Sequence, residues 1–175
     1  VAPDPAAINI ELDPGMAFGT GSHPTTHLCL EWLCSVARPE SRVLDYGCGS
    51  GILGIAAAKL GAASVLGVDI DEKAIEAARY NAERNQVTLE LQHSGVPLAG
   101  SYDLVVANIL TNPLCVLAPS IAARVASGGR LALSGVLDSQ TERVIDAYAP
   151  YIALRVGAVR DGWARLEGER DAGSP

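Results

Sequence analysis

Val43-Leu44-Asp45-Tyr46-Gly47-Cys48-Gly49-Ser50-Gly51 runs a short apolar strand straight into a turn of three alternating glycines, and an Ala-rich helix opens at Ile52. Glycine is needed where the backbone takes positive φ or lies against a ligand with no room for a Cβ. Gly49-Ser50-Gly51-Ile52-Leu53-Gly54 also satisfies G-x-G-x-x-G, so the turn alone points to an adenosine ligand without choosing it. Asp45 makes the choice. A carboxylate aimed into the turn would oppose a pyrophosphate resting on the helix N-terminus, because two anions would share one small site. It suits an ammonium or a network of waters. S-adenosylmethionine has no phosphate and carries an amino-acid head group and a sulfonium, so it is the expected cofactor. Asp69 ends the next strand about 20 residues past the glycines, where an acid takes ribose hydroxyls in this class of turn. Ribose is common to both cofactors, so Asp69 supports adenosine without discriminating. The bland alternative is a structural glycine turn with Asp45 capping the helix.

Outward from the turn, strands and helices alternate. Strand-like runs cover residues 42–46, 64–68, 87–91, 102–108 and 130–134, with helical runs at 52–60, 71–85 and 113–126 between them. Such alternation implies crossover units and a parallel sheet. After a helix at 139–148, runs at 152–159 and 162–166 separated by Arg160-Asp161 read as a hairpin, so the far edge is antiparallel. The expected architecture is α/β, with seven strands. Before the turn, residues up to about 26 are rich in Pro and Gly and read as an arm. A helix follows from Pro24 to Ala37, with Leu28, Trp32, Leu33 and Val36 at helical spacing and Ser22 available as its N-cap. Residues 1–26 are thus taken as arm and lid loop, 27–167 as the domain, and 168–175 as a flexible tail.

The 175 residues carry 13 Lys plus Arg against 20 Asp plus Glu, a formal charge of −7, with 49% hydrophobic and 19% charged residues. A chain of this size hides about 70% of its unfolded surface, enough for a full core without metal or disulfide. Disorder and a disulfide scaffold are excluded by the composition. The acidic balance and scattered basic residues speak against direct nucleic-acid binding. No apolar run approaches the ~20 residues that span a bilayer, and no membrane partner is expected. Cys29, Cys34, Cys48 and Cys115 lack C-x-x-C spacing and read as small buried hydrophobes, in keeping with a reducing, cytoplasmic setting. The chain starts at Val1 rather than Met, as a fragment or processed product would. His23 and His27 stand four apart with no third ligand near them, so no metal site is expected.

Four segments together resemble one family. Leu12-Asp13-Pro14-Gly15-Met16-Ala17-Phe18-Gly19-Thr20-Gly21-Ser22-His23-Pro24-Thr25-Thr26, then 45–51, then Val68-Asp69-Ile70-Asp71, then Val106-Ala107-Asn108-Ile109-Leu110 are similar to the catalytic domain of the bacterial methyltransferases that modify the eleventh protein of the large ribosomal subunit. The resemblance runs from about Ile8 to Leu166, and its long first motif is the most specific part. It implies a Rossmann-like, doubly wound seven-stranded sheet with helices on both faces, binding S-adenosylmethionine over the ends of strands one, two and four. Cofactor contacts carry over to Thr26, Gly47, Asp69 and Asn108, with Phe18, Gly19, Thr20 and Gly21 folding over the ligand. Asp45, Gly49 and Ile70 complete the expected cofactor site. The acid that many such enzymes place near the adenine amino group is missing from Gln92-His93-Ser94-Gly95-Val96, which leaves backbone groups or Ser94 to read that edge. The family also has an N-terminal substrate-recognition domain, for which nothing before Val1 provides.

The implied reaction needs acceptors that hold an amine's protons and aim its lone pair at an activated methyl carbon. Asn108 offers an amide oxygen, and the carbonyls of Asn108 and Ile109 lie beside it. Asn108-Ile109-Leu110-Thr111 has no aromatic residue to stack a flat group, which disfavours a nucleobase or side-chain amide as target. The expected function is N-methylation of a lysine side chain or N-terminus of a protein, a ribosomal one by the resemblance. Another protein or a small amine as target, a nicotinamide-dependent oxidoreductase, and a non-catalytic cofactor module stand as alternatives.

Overall fold

The structure, a computed structural model, describes residues 4–13 and 19–173. Strands β1 (Arg42–Tyr46), β2 (Ser64–Asp69), β3 (Glu90–His93), β4 (Tyr102–Asn108), β5 (Val125–Leu137), β6 (Leu154–Arg160) and β7 (Trp163–Glu169) form a seven-stranded sheet in the order β3-β2-β1-β4-β5-β7-β6. All pairings among β1 to β5 are parallel, and β7 runs against both β5 and β6. The order reverses at β1, which pairs with β2 on one side and β4 on the other. Crossovers therefore leave β1 and β4 in opposite directions, and a crevice opens outside their carboxyl ends. The α/β, doubly wound architecture with an antiparallel hairpin at its edge is the one expected.

Helices cover both faces. On one side α1 (Pro24–Val36), α2 (Ile52–Lys59) and α3 (Glu72–Arg84) pack on the sheet, and Cys29, Trp32, Leu33, Leu53 and Val106 belong to the core beneath them. On the other side α4 (Thr111–Val116), α5 (Ala118–Ala122) and α6 (Thr141–Tyr148) close over Leu44, Val105, Leu131, Leu133 and Leu166. Strands buried on both faces carry continuous apolar runs instead of alternation, as β1 and β4 do.

Several boundaries differ from expectation, each for a local reason. The helix expected at 113–126 is two, because Pro119 has no N–H to donate to the Cys115 carbonyl and its ring crowds that turn. Strand β3 starts at Glu90, not Val87, since the Val87 amide donates back to Ala82 and finishes α3. The hairpin turn is Asp161-Gly162, both at positive φ as a two-residue turn of this hand requires. The expected tail at 168–175 begins too early: β7 runs to Glu169, and Arg170 exchanges backbone hydrogen bonds with Gly128 and Gly129. The N-cap of α1 is His23, whose Nδ1 accepts from the Thr25 amide, not Ser22. Two of the four cysteines depart from the buried reading, with Cys34 exposed and Cys115 half-buried. No helix among the described residues is long and apolar enough to cross a membrane.

Candidate functional site

The glycine turn folds back over the end of β2. Gly47 and Cys48 both donate to the Val68 carbonyl, at 2.7 and 3.0 Å, and Gly51 donates to Cys48 at 2.8 Å. All three turn glycines have positive φ. At Gly47 the need is steric as well, because a Cβ there would overlap the Ile109 side chain. Gly51, the uncapped N-cap of α2, lies against the backbone of Ala78 on α3. The turn thus sits wedged between α3 and the end of β4.

Asp45 is 1% exposed and lies under this turn. Its Oδ2 accepts from the Gly54 amide at 3.1 Å, capping the first turn of α2, while Oδ1 has no partner among the described residues. Desolvation pushes the carboxyl up to about 7; the Gly54 bond pulls it back and the Asp69 charge adds to the rise. Two buried thiols stand near it: Cys29, pushed up to about 12 by burial and then by the Asp45 charge, and Cys48, raised for the same reasons with Asp69 contributing. The capping role weighed for Asp45 is thus what its Oδ2 performs, and it leaves Oδ1 over.

Asp69 ends β2, half-buried. Its Oδ2 accepts from the Gly49 amide at 2.9 Å and its Oδ1 from the Asp71 amide at 3.0 Å. Each carboxylate oxygen has two lone pairs, so one per oxygen is left for a ligand. Ile70, next in the chain, is 79% exposed, unusual for so large an apolar side chain. Its carbonyl accepts from His93 Nε2 at 2.8 Å, while His93 Nδ1 accepts from the Gly95 amide. That pair of bonds holds the Ser94 loop, whose Ser94 amide also donates to the Asp69 carbonyl at 2.8 Å. Asp69, Ile70 and Ser94 therefore form one rim across the ends of β2 and β3.

Asn108 pairs with Ser134 at the end of β4, half-buried, and its side chain has no hydrogen-bond partner among the described residues. Ile109 beside it is held tightly. Gly135, at φ +87, approaches so close that a Cβ would overlap the Ile109 carbonyl. The next side chain, Leu110, is 68% exposed.

The described parts of the arm are tied to this place. Ser50 Oγ donates to the Gly19 carbonyl at 2.7 Å. Asn81, fully buried on α3, accepts from the Asp13 amide and donates to the Ser50 carbonyl; Asn85 exchanges two bonds with the backbone of Glu11. Thr20 is exposed, its hydroxyl 3.0 Å from that of Ser22. Thr26 is 2% exposed in the first turn of α1. Phe18 lies outside the described residues. His23 packs edge-to-face on Trp163, centroids 5.0 Å apart.

The glycine turn, Asp69 and Asn108, separated by up to 61 residues in sequence, thus meet at the ends of β1, β2 and β4. Sequence reasoning missed Gly135, Asn81 and Asn85. The two asparagines had a signal, since they continue the apolar face of α3 marked by Ala74, Ala78 and Ala82.

The description "Ribosomal protein L11 methyltransferase (PrmA)" matches residues 1–171. The chain belongs to this family. It is 63% identical over 166 residues to the ribosomal protein L11 methyltransferase of Dechloromonas aromatica (strain RCB), a match covering 95% of this chain and 56% of that protein. It is 58% identical over 171 residues to that of Ralstonia nicotianae (strain ATCC BAA-1114 / GMI1000), covering 98% and 57%. The crystal structure of the ribosomal protein L11 methylase from Lactobacillus delbrueckii subsp. bulgaricus superposes with a TM-score of 0.85 at 35% identity, over 93% of this chain and 85% of that one. The chain thus spans somewhat more than half the length of the curated family members it matches.

Proposed function

We propose that this chain is the catalytic part of an S-adenosylmethionine-dependent N-methyltransferase that acts on amino groups, lysine side chain or N-terminus, of a ribosomal protein in the cytoplasm. The observation that carries the reading is the meeting of an acid with spare lone pairs, Asp69, and an amide with no partner among the described residues, Asn108, on either side of the glycine turn. Family membership supports the substrate class.

The residues present fit such a cofactor. Asp69 would take the ribose hydroxyls, the Ser94 loop and exposed Ile70 would face the adenine, and the turn from Gly47 to Gly49, with no Cβ in the way, would receive the amino-acid head. The unpartnered Oδ1 of Asp45 lies beneath that head; its carboxyl, held protonated up to about pH 7 by burial in the ligand-free fold, would be drawn to ionise by an ammonium, whereas a pyrophosphate would oppose that ionisation. S-adenosylmethionine, when bound, supplies a methyl carbon already activated by a positive sulfur. The protein's share is positioning and electrostatics. Asn108 Oδ1 and the neighbouring carbonyls accept the amine's hydrogens and direct its lone pair, which places the attacking nitrogen with little entropy left to lose. The described segment at Gly19, held by Ser50, brings the arm to the mouth of the site, and Phe18 next to it would cover the ligand.

Calorimetry with S-adenosylmethionine, S-adenosylhomocysteine and the nicotinamide dinucleotides tests the cofactor: the first two should bind saturably and the others not. Transfer of labelled methyl groups to purified large-subunit proteins tests the substrate. Saturable binding of a nicotinamide dinucleotide alone would overturn the reading. Transfer to a small amine in preference to every ribosomal protein would move the substrate class but not the reaction.

A further inference from the structure

The segment that presents Asn108 is followed by a helix with little to hold its start. Helix α4 has six residues, too few to be stable alone, and its N-cap, Leu110, makes no side-chain capping bond. Yet Asn108 must be fixed to within a fraction of an ångström to direct an amine. Gly135 supports the Ile109 carbonyl from one side. At the start of α4 stands Gln140, half-buried at the end of the short turn that follows β5.

The Oε1 atom of Gln140 lies 2.8 Å from the hydroxyl of Thr111, the first residue of α4, and 3.3 Å from the amide nitrogen of Leu137, the last residue of β5. A backbone amide can only donate, so the atom facing Leu137 is the oxygen, and the Thr111 hydroxyl donates to it as well. One acceptor therefore joins two segments that are 26 residues apart. Thr111 is 5% exposed, so its hydroxyl would lose its protein partner away from water if that oxygen were removed. The corner is anchored in turn to the edge hairpin, where the Asp138 amide donates to the Gly162 carbonyl at 2.9 Å.

We propose that Gln140 is a positioning residue for methyl transfer: its side-chain oxygen clamps Thr111 to Leu137 and so fixes the Asn108-Ile109 turn against β5. The inference rests on the role given to Asn108 above. Gln140 does not touch the reacting atoms. Its effect belongs on the rate of transfer and not on cofactor affinity, because Asp69 and the glycine turn are held by bonds of their own.

Three variants test it. Gln140→Leu keeps the size and removes the acceptor, Gln140→Glu keeps the acceptor, and Thr111→Val removes the donor. In Gln140→Leu the Leu137 amide should exchange faster, the side-chain amide resonances of Asn108 should shift, and kcat should fall about 10²-fold while KM and the cofactor Kd stay within about twofold. Thr111→Val should reproduce the Asn108 shift and the loss of kcat. Gln140→Glu should return all of these toward the parent protein. Parent-like Asn108 resonances in Gln140→Leu would overturn the proposal. So would damage in Gln140→Glu equal to that in Gln140→Leu, since the oxygen would then not be the acting group. If the parent protein transfers no methyl group to any amine, it is the proposed reaction that fails, and the exchange and resonance comparison still decides whether Gln140 fixes Asn108.

Discussion

At the scale of single residues, two acids near the glycine turn do different work, and their environments separate them. Asp69 is half-buried with lone pairs to spare, so Asp69→Ala should weaken S-adenosylmethionine binding about tenfold or more by calorimetry while leaving the fold intact, the loss expected for charge-assisted hydrogen bonds. Asp45 instead spends stability. Its carboxyl is raised from an ordinary 3.8 to about 7 in the fold, so between those values the folded chain holds a proton that the unfolded chain has released. Stability from this group is full below about pH 4, falls as the pH rises, and is gone above about 7, with a slope of at most ~1.4 kcal/mol per pH unit. Urea unfolding of the ligand-free protein from pH 4.5 to 7.5 should show that decline, and Asp45→Asn should remove it. The sequence alone led to both acids, because strand, acid and glycine turn occur in a fixed order. It could not tell that Asp45 lies underneath, since depth depends on what packs over β1, where Gly54 of α2 and Cys29 of α1 stand beside the carboxyl.

At the scale of elements, the legible features were those written in local chemistry. Periodicity placed β1, α2 and β4 to within a residue, because apolar runs bounded by glycine, proline and polar turns leave few alternatives. Features that depend on distant partners were not legible. The break between α4 and α5 could be read from Pro119, but the start of β3 depended on where α3 finished its last turn. The arm is the clearest case. Its composition reads as loop, and its described residues before α1 form no helix or strand, yet Asn81 and Asn85 fasten residues 11 and 13 to α3, and Asn81 also holds the Ser50 carbonyl of the glycine turn. Asn81→Ala would leave the Asp13 amide and the Ser50 carbonyl without this partner, at a cost of about 1–3 kcal/mol for each group left buried. The expected outcome is a lower urea midpoint together with faster hydrogen exchange at residues 11–13. Unchanged exchange there would mean that the arm is held by other contacts.

At the scale of the whole molecule, the groups assigned to the cofactor gather at the carboxyl ends of β1, β2 and β4 within this chain, whereas family members are longer than the part it spans. Binding of cofactor and choice of target should therefore be separable by experiment. Next to Asn108 in the chain stands exposed Leu110, and further along β5, beyond its partner Ser134, exposed Leu137 faces Trp163, which packs on His23. Such a rim can seat the aliphatic stem of an amine, but it offers few groups with which to tell one protein from another, and discrimination requires differential contacts. The net charge of −7 would draw basic proteins generally, a long-range effect that salt screens and that selects by charge rather than by identity. This chain alone should accordingly bind S-adenosylmethionine with an affinity close to that of the full-length Dechloromonas aromatica relative, yet methylate ribosomal protein with a much higher KM and little preference over other basic proteins. Raising the ionic strength should increase that KM further. Parallel calorimetry and labelled-methyl transfer with the two proteins measure both halves of the expectation. Equal kcat/KM on the intact ribosomal substrate would place target selection inside this sheet, on the rim around Asn108, and not in the part of the relatives that this chain does not span.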